Sequence, residues 1–273
     1  MEKAVAVPKI LRVPYQWIEN MGDVVIGGVK ELGRVSSFFI SSLSWQFRPP
    51  FRYEEIFKQI EFVGNKSVFI ICLCSLFTGM VFALQTYTAF HLVNADTMIG
   101  PTVALTLTRE LGPVLTGLIV TGRAGAAMSA QLGTMRVTEQ IDALEVMGVN
   151  PKQYLVMPRI IAGVVAMPLL AAIFDFVGNL GAYMLAVKVF QIDAAIYLAK
   201  INLFTQPKDI FQGLIKASVF GFTFALIGTY KGFNTTNGAR GVGRATNETV
   251  VLSSIFILVS DYFLSAIIKI LLY

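Results

Sequence analysis

The sequence is poor in charged residues. Of its 273 residues, 14% are Asp, Glu, Lys or Arg and 55% are hydrophobic, whereas soluble domains average about 25% charged residues. Apolar stretches of about 20 residues, the length that crosses a bilayer as a helix, recur along the chain. The scarcity of charge therefore excludes an ordinary soluble domain and indicates an integral membrane protein.

Cysteine and histidine are nearly absent as well. Cys72 and Cys74 lie in one apolar run, and residues two apart on a helix point to different faces, so we expect no disulfide. His91, the single histidine, ends that run and has no neighbours that would complete a metal site. Residues 1–22 lack the compact apolar core of a cleavable signal peptide.

Motifs of nucleotide-hydrolysing and hydrolytic enzymes are also missing. The stretch from Gly64 to Ser67 lacks the first glycine and the preceding strand of a phosphate-binding loop. The GARGVGR run from Gly238 to Arg244 has no strand–helix context and no phosphate-loop lysine. No HExxH, GxSxG or CxxC sequence occurs. We therefore expect a protein that is not an enzyme and that has no catalytic residues, metal or cofactor of its own.

The sequence is rich in long apolar stretches that favour helices. Five transmembrane helices are predicted, at about residues 67–90, 101–121, 159–187, 210–230 and 248–271. The stretch from Asp23 to Phe47 has helical periodicity but too many polar residues to span, so it is predicted to lie in the membrane interface. Packing of this stretch on the protein itself is the alternative. We expect residues 1–50 to form a tail, loose over residues 1–14, and this interfacial helix, and residues 51–273 to form one membrane domain.

The basic residues indicate an orientation. With the N-terminus in the cytoplasm, the inner segments 1–66, 122–159 and 231–247 carry 9, 4 and 3 Lys or Arg residues, 16 of the 22. Because cytoplasmic segments are enriched in Lys and Arg, we predict a cytoplasmic N-terminus and, after five spans, a C-terminus on the other side. This bias explains the net charge of +5 without a nucleic-acid partner.

One polar interval, from Gly122 to Pro151, separates the second and third spans. Thr138 is predicted to cap a short helix that Gly148 closes, since glycine commonly ends helices in the left-handed conformation. The apolar residues of this helix repeat along one face: Ile141, Leu144 and Met147. The sequence thus predicts a short amphipathic helix on the cytoplasmic side, and such a helix is suited to transmit force.

Charges inside the predicted spans mark candidate functional residues, since each costs roughly 2.5–3.5 kcal/mol in the hydrocarbon region. Arg109 and Glu110 lie together in the second span. Pro113 leaves the carbonyl of Arg109 without its helical hydrogen bond, which predicts a kink and a polar cavity. Two interpretations stay open: Arg109 binds an anionic lipid headgroup, or the pair makes a structural salt bridge with Asp175 or Asp261.

Asp175 and Asp261 lie near the middle of the third and fifth spans. In a proton-driven transporter they would relay protons, whereas in a helix bundle they would hydrogen-bond neighbouring helices as structural polar residues. An ion-coupled secondary transporter is therefore the alternative function, although no inverted repeat is evident. A lipid-modifying enzyme would need a nucleophile and a base near the interface, and the sequence shows no such cluster.

The run RELGPVLTGLIVTGRAGAAMSAQLGTMRVTEQIDALEVMGVNP, from Arg109 to Pro151, closely resembles the MlaE permease family. The similarity extends less tightly from about Phe51 to the C-terminus and includes Asp261. Proteins of this family are membrane subunits of ABC transporters that move phospholipids or related lipids between the inner and outer membranes of Gram-negative bacteria. The resemblance implies an all-α inner-membrane protein with an N-terminal interfacial helix, five transmembrane helices and a cytoplasmic coupling helix between spans 2 and 3.

The resemblance also implies partners and site residues. The chain would form a homodimer, bind a separate ABC ATPase that holds ATP and Mg, and meet a periplasmic MCE-domain protein. In some systems a STAS-domain protein binds the ATPase. The lipid cavity of the family maps to Arg109, Glu110, Leu84, Gln85 and Tyr87. The positions that couple to the ATPase map to Glu139, Gln140, Asp142, Leu144, Glu145 and Met147.

Overall fold

The structure is a computed structural model that describes residues 9–46 and 52–272. These residues form helices joined by short connections, and they contain no strand, which confirms the all-α prediction. In chain order the helices are α1 (Lys9–Gln46), α2 (Tyr53–His91), α3 (Asp96–Val137), α4 (Gln140–Val146), α5 (Lys152–Lys188), α6 (Ala194–Phe204), α7 (Pro207–Phe233) and α8 (Gly238–Leu272).

Five of the described helices, α2, α3, α5, α7 and α8, are long and apolar enough to cross a membrane, as predicted. Their ends differ from the prediction, because helical backbone continues into polar sequence beyond each apolar run. α2 takes in residues 53–66, and α8 begins at Gly238. Residues 231–247 are predicted from the sequence to form the loop between the fourth and fifth spans, and this prediction is wrong, since only residues 234–237 separate α7 from α8.

α1 is longer than the predicted interfacial helix. It begins at Lys9 and not at Asp23, so residues 9–14 are helical and the prediction of a loose tail is wrong for them. Residues 1–8 of that tail, and Phe47 at the predicted end of the helix, lie outside the described residues.

One face of α1 packs on the bundle. The Phe38 ring meets the rings of Tyr230 and Phe233, each at a centroid distance of 5.5 Å. Apolar side chains on the other side, such as Val29 and Ile40, are exposed. The alternative, packing on the protein, is thus confirmed, and the exposed apolar face is compatible with the interfacial location, which stays a prediction.

Small residues allow the spans to pack closely around α7. The backbones of Gly163 on α5 and Gly221 on α7 touch, and a Cβ added at Gly163 would lie 2.6 Å from the Gly221 carbonyl oxygen. Gly213 on α7 lies against the Thr108 carbonyl of α3 in the same way. Association of helices in a membrane depends on such close packing, because lipid is as apolar as the side chains that it replaces.

α3 is not a regular α-helix. Its turns Leu107–Leu111 and Thr121–Gly125 have the wider π-helical hydrogen-bond pattern. The first of these turns ends just before Pro113, so the helix is distorted at the position where the proline predicts a kink. Single π-helical turns inside α-helices often occur at functional sites.

The start of α4 differs from the prediction. Thr138 does not cap this helix, because its hydroxyl donates to the Thr134 carbonyl 2.9 Å away and so belongs to the end of α3. The residue that precedes α4 is Glu139, which has a left-handed backbone with φ 60°. Few non-glycine residues adopt this conformation, which here provides the sharp turn between α3 and α4.

The end of α4 is as predicted. Gly148 has φ 75°, in the left-handed region. The Val149 amide donates to the Leu144 carbonyl at 2.9 Å, and the Gly148 amide donates to the Glu145 carbonyl at 3.0 Å. These two bonds satisfy the last carbonyls of the helix and form the Schellman arrangement that favours glycine.

Candidate functional site

Five charged side chains from three spans meet inside the bundle, and we call them the charge cluster. Arg109 and Glu110 come from α3, Asp209 and Lys216 from α7, and Asp261 from α8. A charge in the hydrocarbon region is costly when isolated, so such residues normally pair with one another. The pairing inside the cluster explains how three apolar spans accommodate them.

Arg109 pairs with Asp209. Its Nη2 lies 2.7 Å from Asp209 Oδ1, and its Nε–H donates to the same oxygen at 2.9 Å. Asp209 is fully buried, and its Oδ2 accepts the backbone N–H of Gln206 at 2.8 Å in a capping box at the start of α7. The carboxylate is therefore fixed by its own helix, and it orients the guanidinium.

Lys216 joins the other members of the cluster. Its fully buried ammonium donates to Glu110 Oε2 at 2.5 Å, to Ser265 Oγ at 2.6 Å and to the carbonyl of Arg109 at 3.0 Å. Asp261 Oδ1 lies 3.1 Å from the same nitrogen. The three N–H donors of Lys216 are thus all used.

The bond from Lys216 to the Arg109 carbonyl has a specific cause. Pro113 has no N–H and cannot donate to the carbonyl four residues earlier, which is that of Arg109. Lys216 takes the place of the missing donor. The lysine is therefore both a counter-ion for the cluster and a backbone partner for the distorted turn of α3.

The members of the cluster differ in exposure. The side chains of Arg109 and Glu110 are 34% and 41% exposed, whereas those of Asp209 and Lys216 are fully buried. The α7 residues thus form the buried side of the cluster. The α3 pair forms its accessible side and can meet a ligand.

The salt bridge that was considered between Arg109 and Asp175 is not formed, because Arg109 pairs with Asp209. The Asp175 carboxylate instead packs against Gly112, so closely that no Cβ would fit there. Asp261 does lie in the cluster, although its cation partner is Lys216 and not Arg109. Sequence reasoning missed Asp209 and Lys216. Lys216 carries the same signal as Arg109, since it is a charge inside an apolar run.

The predicted cavity residues of α2 lie elsewhere. Leu84 and Gln85 are on its exposed side. Tyr87 is stacked between His91 and Phe190, with ring centroids 4.9 and 3.9 Å away. α2 packs chiefly along α5, whereas the π-helical turn of Arg109 and Glu110 packs chiefly on α7. Within one chain the structure does not bring the two sets together, and their assignment to one lipid cavity stays a prediction.

The predicted coupling helix presents a different face from the one expected. Ile141 is fully buried against Leu132 of α3 and Leu155 of α5, and Leu144 is half-buried beside them. Met147 does not share this face, because it is 68% exposed. Val146 is also exposed, and so are the remaining predicted coupling residues, which are Glu139, Gln140, Asp142 and Glu145.

One of these exposed acids already has a partner. The Asp142 carboxylate forms a salt bridge with Arg136, near the end of α3.

In the part of the chain that the structure describes, no group of three His, Cys, Asp or Glu residues is arranged to hold a metal ion.

Comparison with known proteins gives a consistent result. Residues 56–267 match the family described as Permease MlaE. A probable ABC transporter permease protein of Rickettsia bellii is 42% identical over 246 residues, which cover 90% of this chain and 95% of that protein. The intermembrane phospholipid transport system permease protein MlaE of Haemophilus influenzae is 35% identical over 252 residues, which cover 92% of this chain and 97% of that protein.

A plant protein is also similar. The chloroplastic protein TRIGALACTOSYLDIACYLGLYCEROL 1 of Arabidopsis thaliana is 39% identical over 209 residues, which cover 77% of this chain and 60% of that protein.

The family match begins inside α2, ends inside α8 and includes every residue of the charge cluster. These relationships favour a transport subunit over an enzyme or an ion-coupled secondary transporter. The chain is a multi-pass membrane protein and belongs to the MlaE permease family.

Proposed function

We propose that this chain is the membrane subunit of an ABC transporter in the bacterial inner membrane. It moves phospholipid between the inner and outer membranes, driven by a separate ATPase that binds ATP and Mg. The observation that carries this proposal is the accessible pair Arg109 and Glu110, held inside apolar spans by three further charged residues. The similarity to a phospholipid transport permease supports it.

Arg109 binds the lipid phosphate in this proposal. A guanidinium presents several N–H donors in a plane and suits phosphate oxygens better than a lysine ammonium does. Asp209 holds the guanidinium in place. The Arg109 side chain is 34% exposed, which leaves a side that a headgroup can approach. Glu110 lies next to it and offers an acceptor to the cationic part of a zwitterionic headgroup.

α4 receives the movement of the ATPase. It exposes Val146 and Met147 next to acidic side chains, while Ile141 anchors it to both α3 and α5. A push on α4 therefore acts on two spans at once. Arg109 lies on the same continuous helix as the end of α3, about 40 Å away at 1.5 Å per residue.

Two copies of the chain form the transport unit. α2 and α8 are the least buried spans. In the most apolar 18-residue stretch of each helix, 28% and 17% of the residues are buried, so these helices have the most surface for a second copy. In such a homodimer Leu84, Gln85 and Tyr87 of one chain complete the lipid cavity of the other. A periplasmic MCE-domain protein covers the end that carries α6, and a STAS-domain protein binds the ATPase.

The proposal is tested with the full chain and the ATPase from the same organism. We expect the purified complex to carry phospholipid, measured by mass spectrometry of extracted lipid. Arg109→Gln should lower the bound amount severalfold, whereas Arg34→Gln, which alters an exposed arginine on α1, should not. A complex without phospholipid, or equal loss in both variants, would contradict headgroup binding by Arg109.

A second experiment tests the coupling role of α4. Glu139→Lys with Asp142→Lys should prevent co-purification of the ATPase. Because Asp142 also pairs with Arg136, Arg136→Ala is the control that removes this salt bridge without reversing the charge of α4. Unchanged assembly of the charge-reversed variant would rule out docking through these side chains.

A further inference from the structure

A cavity of about 610 Å³ lies between α3, α5, α6 and the start of α7, and we call it the α6 cavity. Its volume falls within the range of about 300–1,000 Å³ that is typical of small-molecule sites. Thr108 lines it from α3, but none of its described lining residues belongs to the charge cluster. The α6 cavity is therefore separate from the proposed phospholipid site.

The α6 cavity is mostly apolar, but several of its lining residues carry buried polar atoms. Four of them have no hydrogen-bond partner among the described residues: Asp175 Oδ1, Asn179 Oδ1, Tyr197 Oη and Thr205 Oγ1. An unpaired buried polar group costs about 1–3 kcal/mol, so native proteins contain few of them. The described residues include twelve such atoms, of which one, Asp261 Oδ1, is ion-paired with Lys216 and four belong to residues that line this cavity.

These groups are held in place. The Asn179 amide donates to the backbone carbonyl of Asp175 at 2.8 Å, which directs its oxygen away from that contact. The Tyr197 ring packs over Gly100, where an added Cβ would lie 2.9 Å from it, and meets the Tyr183 ring at 5.7 Å. Burial raises the pKa of Tyr197 to about 12, so its hydroxyl is neutral and can donate.

The lining defines the chemistry of a ligand. The described lining residues include no Lys, Arg or His, and they include the acid Asp175. A phosphate would find no cation here and would face a carboxyl group. The Asp175 and Asn179 oxygens accept hydrogen bonds, so the ligand must supply donors such as hydroxyls.

The mouth of the cavity defines the route of entry. Phe176, Leu198 and Ile210 line the cavity and are themselves 72%, 50% and 49% exposed. All three lie on apolar helices, so we infer that this surface faces lipid acyl chains and not water. A ligand therefore enters sideways from the bilayer and is itself apolar over most of its length.

We propose that the α6 cavity binds an uncharged single-chain amphiphile with a hydroxyl-bearing head, of the monoacylglycerol type. Its acyl chain occupies the apolar part and leaves through the mouth. Its hydroxyls donate to Asp175 and Asn179 and exchange hydrogen bonds with Tyr197 and Thr205. The cavity selects against anionic lipids, which sets it apart from the charge cluster.

The test uses the full chain in phosphatidylcholine nanodiscs with a diazirine analogue of 1-oleoylglycerol as the probe. After photolysis, peptide mass spectrometry should place the label on residues 175–183 and 197–205. Ala172 lines the mouth and Ala199 is exposed on α6 outside the lining. Ala172→Phe should therefore reduce labelling at least severalfold, and Ala199→Phe should leave it unchanged.

Competition experiments test the headgroup. Unlabelled 1-oleoylglycerol should compete with the probe, and oleoyl-lysophosphatidylglycerol should not. Thr205→Val keeps the shape of the side chain but removes its hydroxyl, so it should weaken competition about fivefold, as expected for one hydrogen bond. Equal competition by the anionic lipid would overturn the proposed headgroup selectivity.

Other results would overturn the site itself. Labelling spread evenly over the lipid-facing helices, or insensitive to Ala172→Phe, would show that the probe only coats the protein. Label found on residues 261–265 of α8, which contact Lys216 and do not line the cavity, would place the probe at the charge cluster and not in the α6 cavity. Because the cavity stands apart from the cluster, failure here leaves the proposed phospholipid transport untouched.

Discussion

Lys216 offers the sharpest test of how the bundle tolerates its charges. Lys216→Met keeps an unbranched side chain only one atom shorter and removes the ammonium that contacts Glu110, Asp261 and the Arg109 carbonyl. Removing one partner of a buried ion pair typically costs about 3–5 kcal/mol, because the remaining charge is left uncompensated. Glu110 is 41% exposed and can be partly solvated, so we expect about 3 kcal/mol, at the lower end of this range.

The two cysteines provide the assay. Cys72 and Cys74 are free and half-buried on α2, so a thiol-reactive dye reports their exposure as the bundle unfolds in detergent. For a domain of this size, about 3 kcal/mol corresponds to a fall in Tm of about 6–12 °C. A Tm equal to that of the wild type would refute the view that Lys216 holds the cluster together.

A multiple variant separates charge from packing. Adding Glu110→Gln and Asp261→Asn to Lys216→Met removes all the charges that the lysine compensated. Neutral replacements of buried ion pairs are often tolerated, so most of the lost Tm should return. If the triple variant is no more stable than Lys216→Met alone, the loss comes from packing around position 216 and not from unpaired carboxylates.

Two further predictions concern packing and assembly. Gly221→Ala should cost about 1–3 kcal/mol by overpacking against Gly163, whereas Gly64→Ala, where an added Cβ meets nothing within 4 Å, should not lower the Tm in the same dye assay. Met147→Asp should reduce co-purification of the ATPase, whereas Val93→Asp, equally exposed at the opposite end of the bundle, should not. Equal losses in both members of either pair would refute the explanation given.

The features predicted from sequence are those with a local cause. The spans follow from apolar run length, and the end of α4 follows from one glycine, Gly148, in the left-handed conformation. The pairing of Arg109 with Asp209 cannot be predicted from local sequence, because the two residues are 100 positions apart. Sequence shows that a buried charge needs a counter-ion, but helix packing decides which one it meets.

Helix ends are wrongly predicted for a related reason. The segment that starts α8 is rich in glycine, which disfavours helix by roughly 1 kcal/mol per residue. Tertiary contacts override this propensity: Glu248 on α8 pairs with Arg244 at 2.7 Å and with Lys231 of α7 at 3.0 Å. Lys231 also reaches Glu31 on α1 at 3.1 Å, so the first turns of α8 are tied to two other helices.

The π-helical turn of α3 brings the two proposed sites together. Its residues Arg109 and Glu110 belong to the charge cluster, while Thr108 lines the α6 cavity. Gly112, the next residue after the turn, lies against the Asp175 carboxylate of that cavity. Both sites therefore share one turn of α3, so we predict that a variant which displaces this turn changes lipid binding at the cluster and at the cavity together.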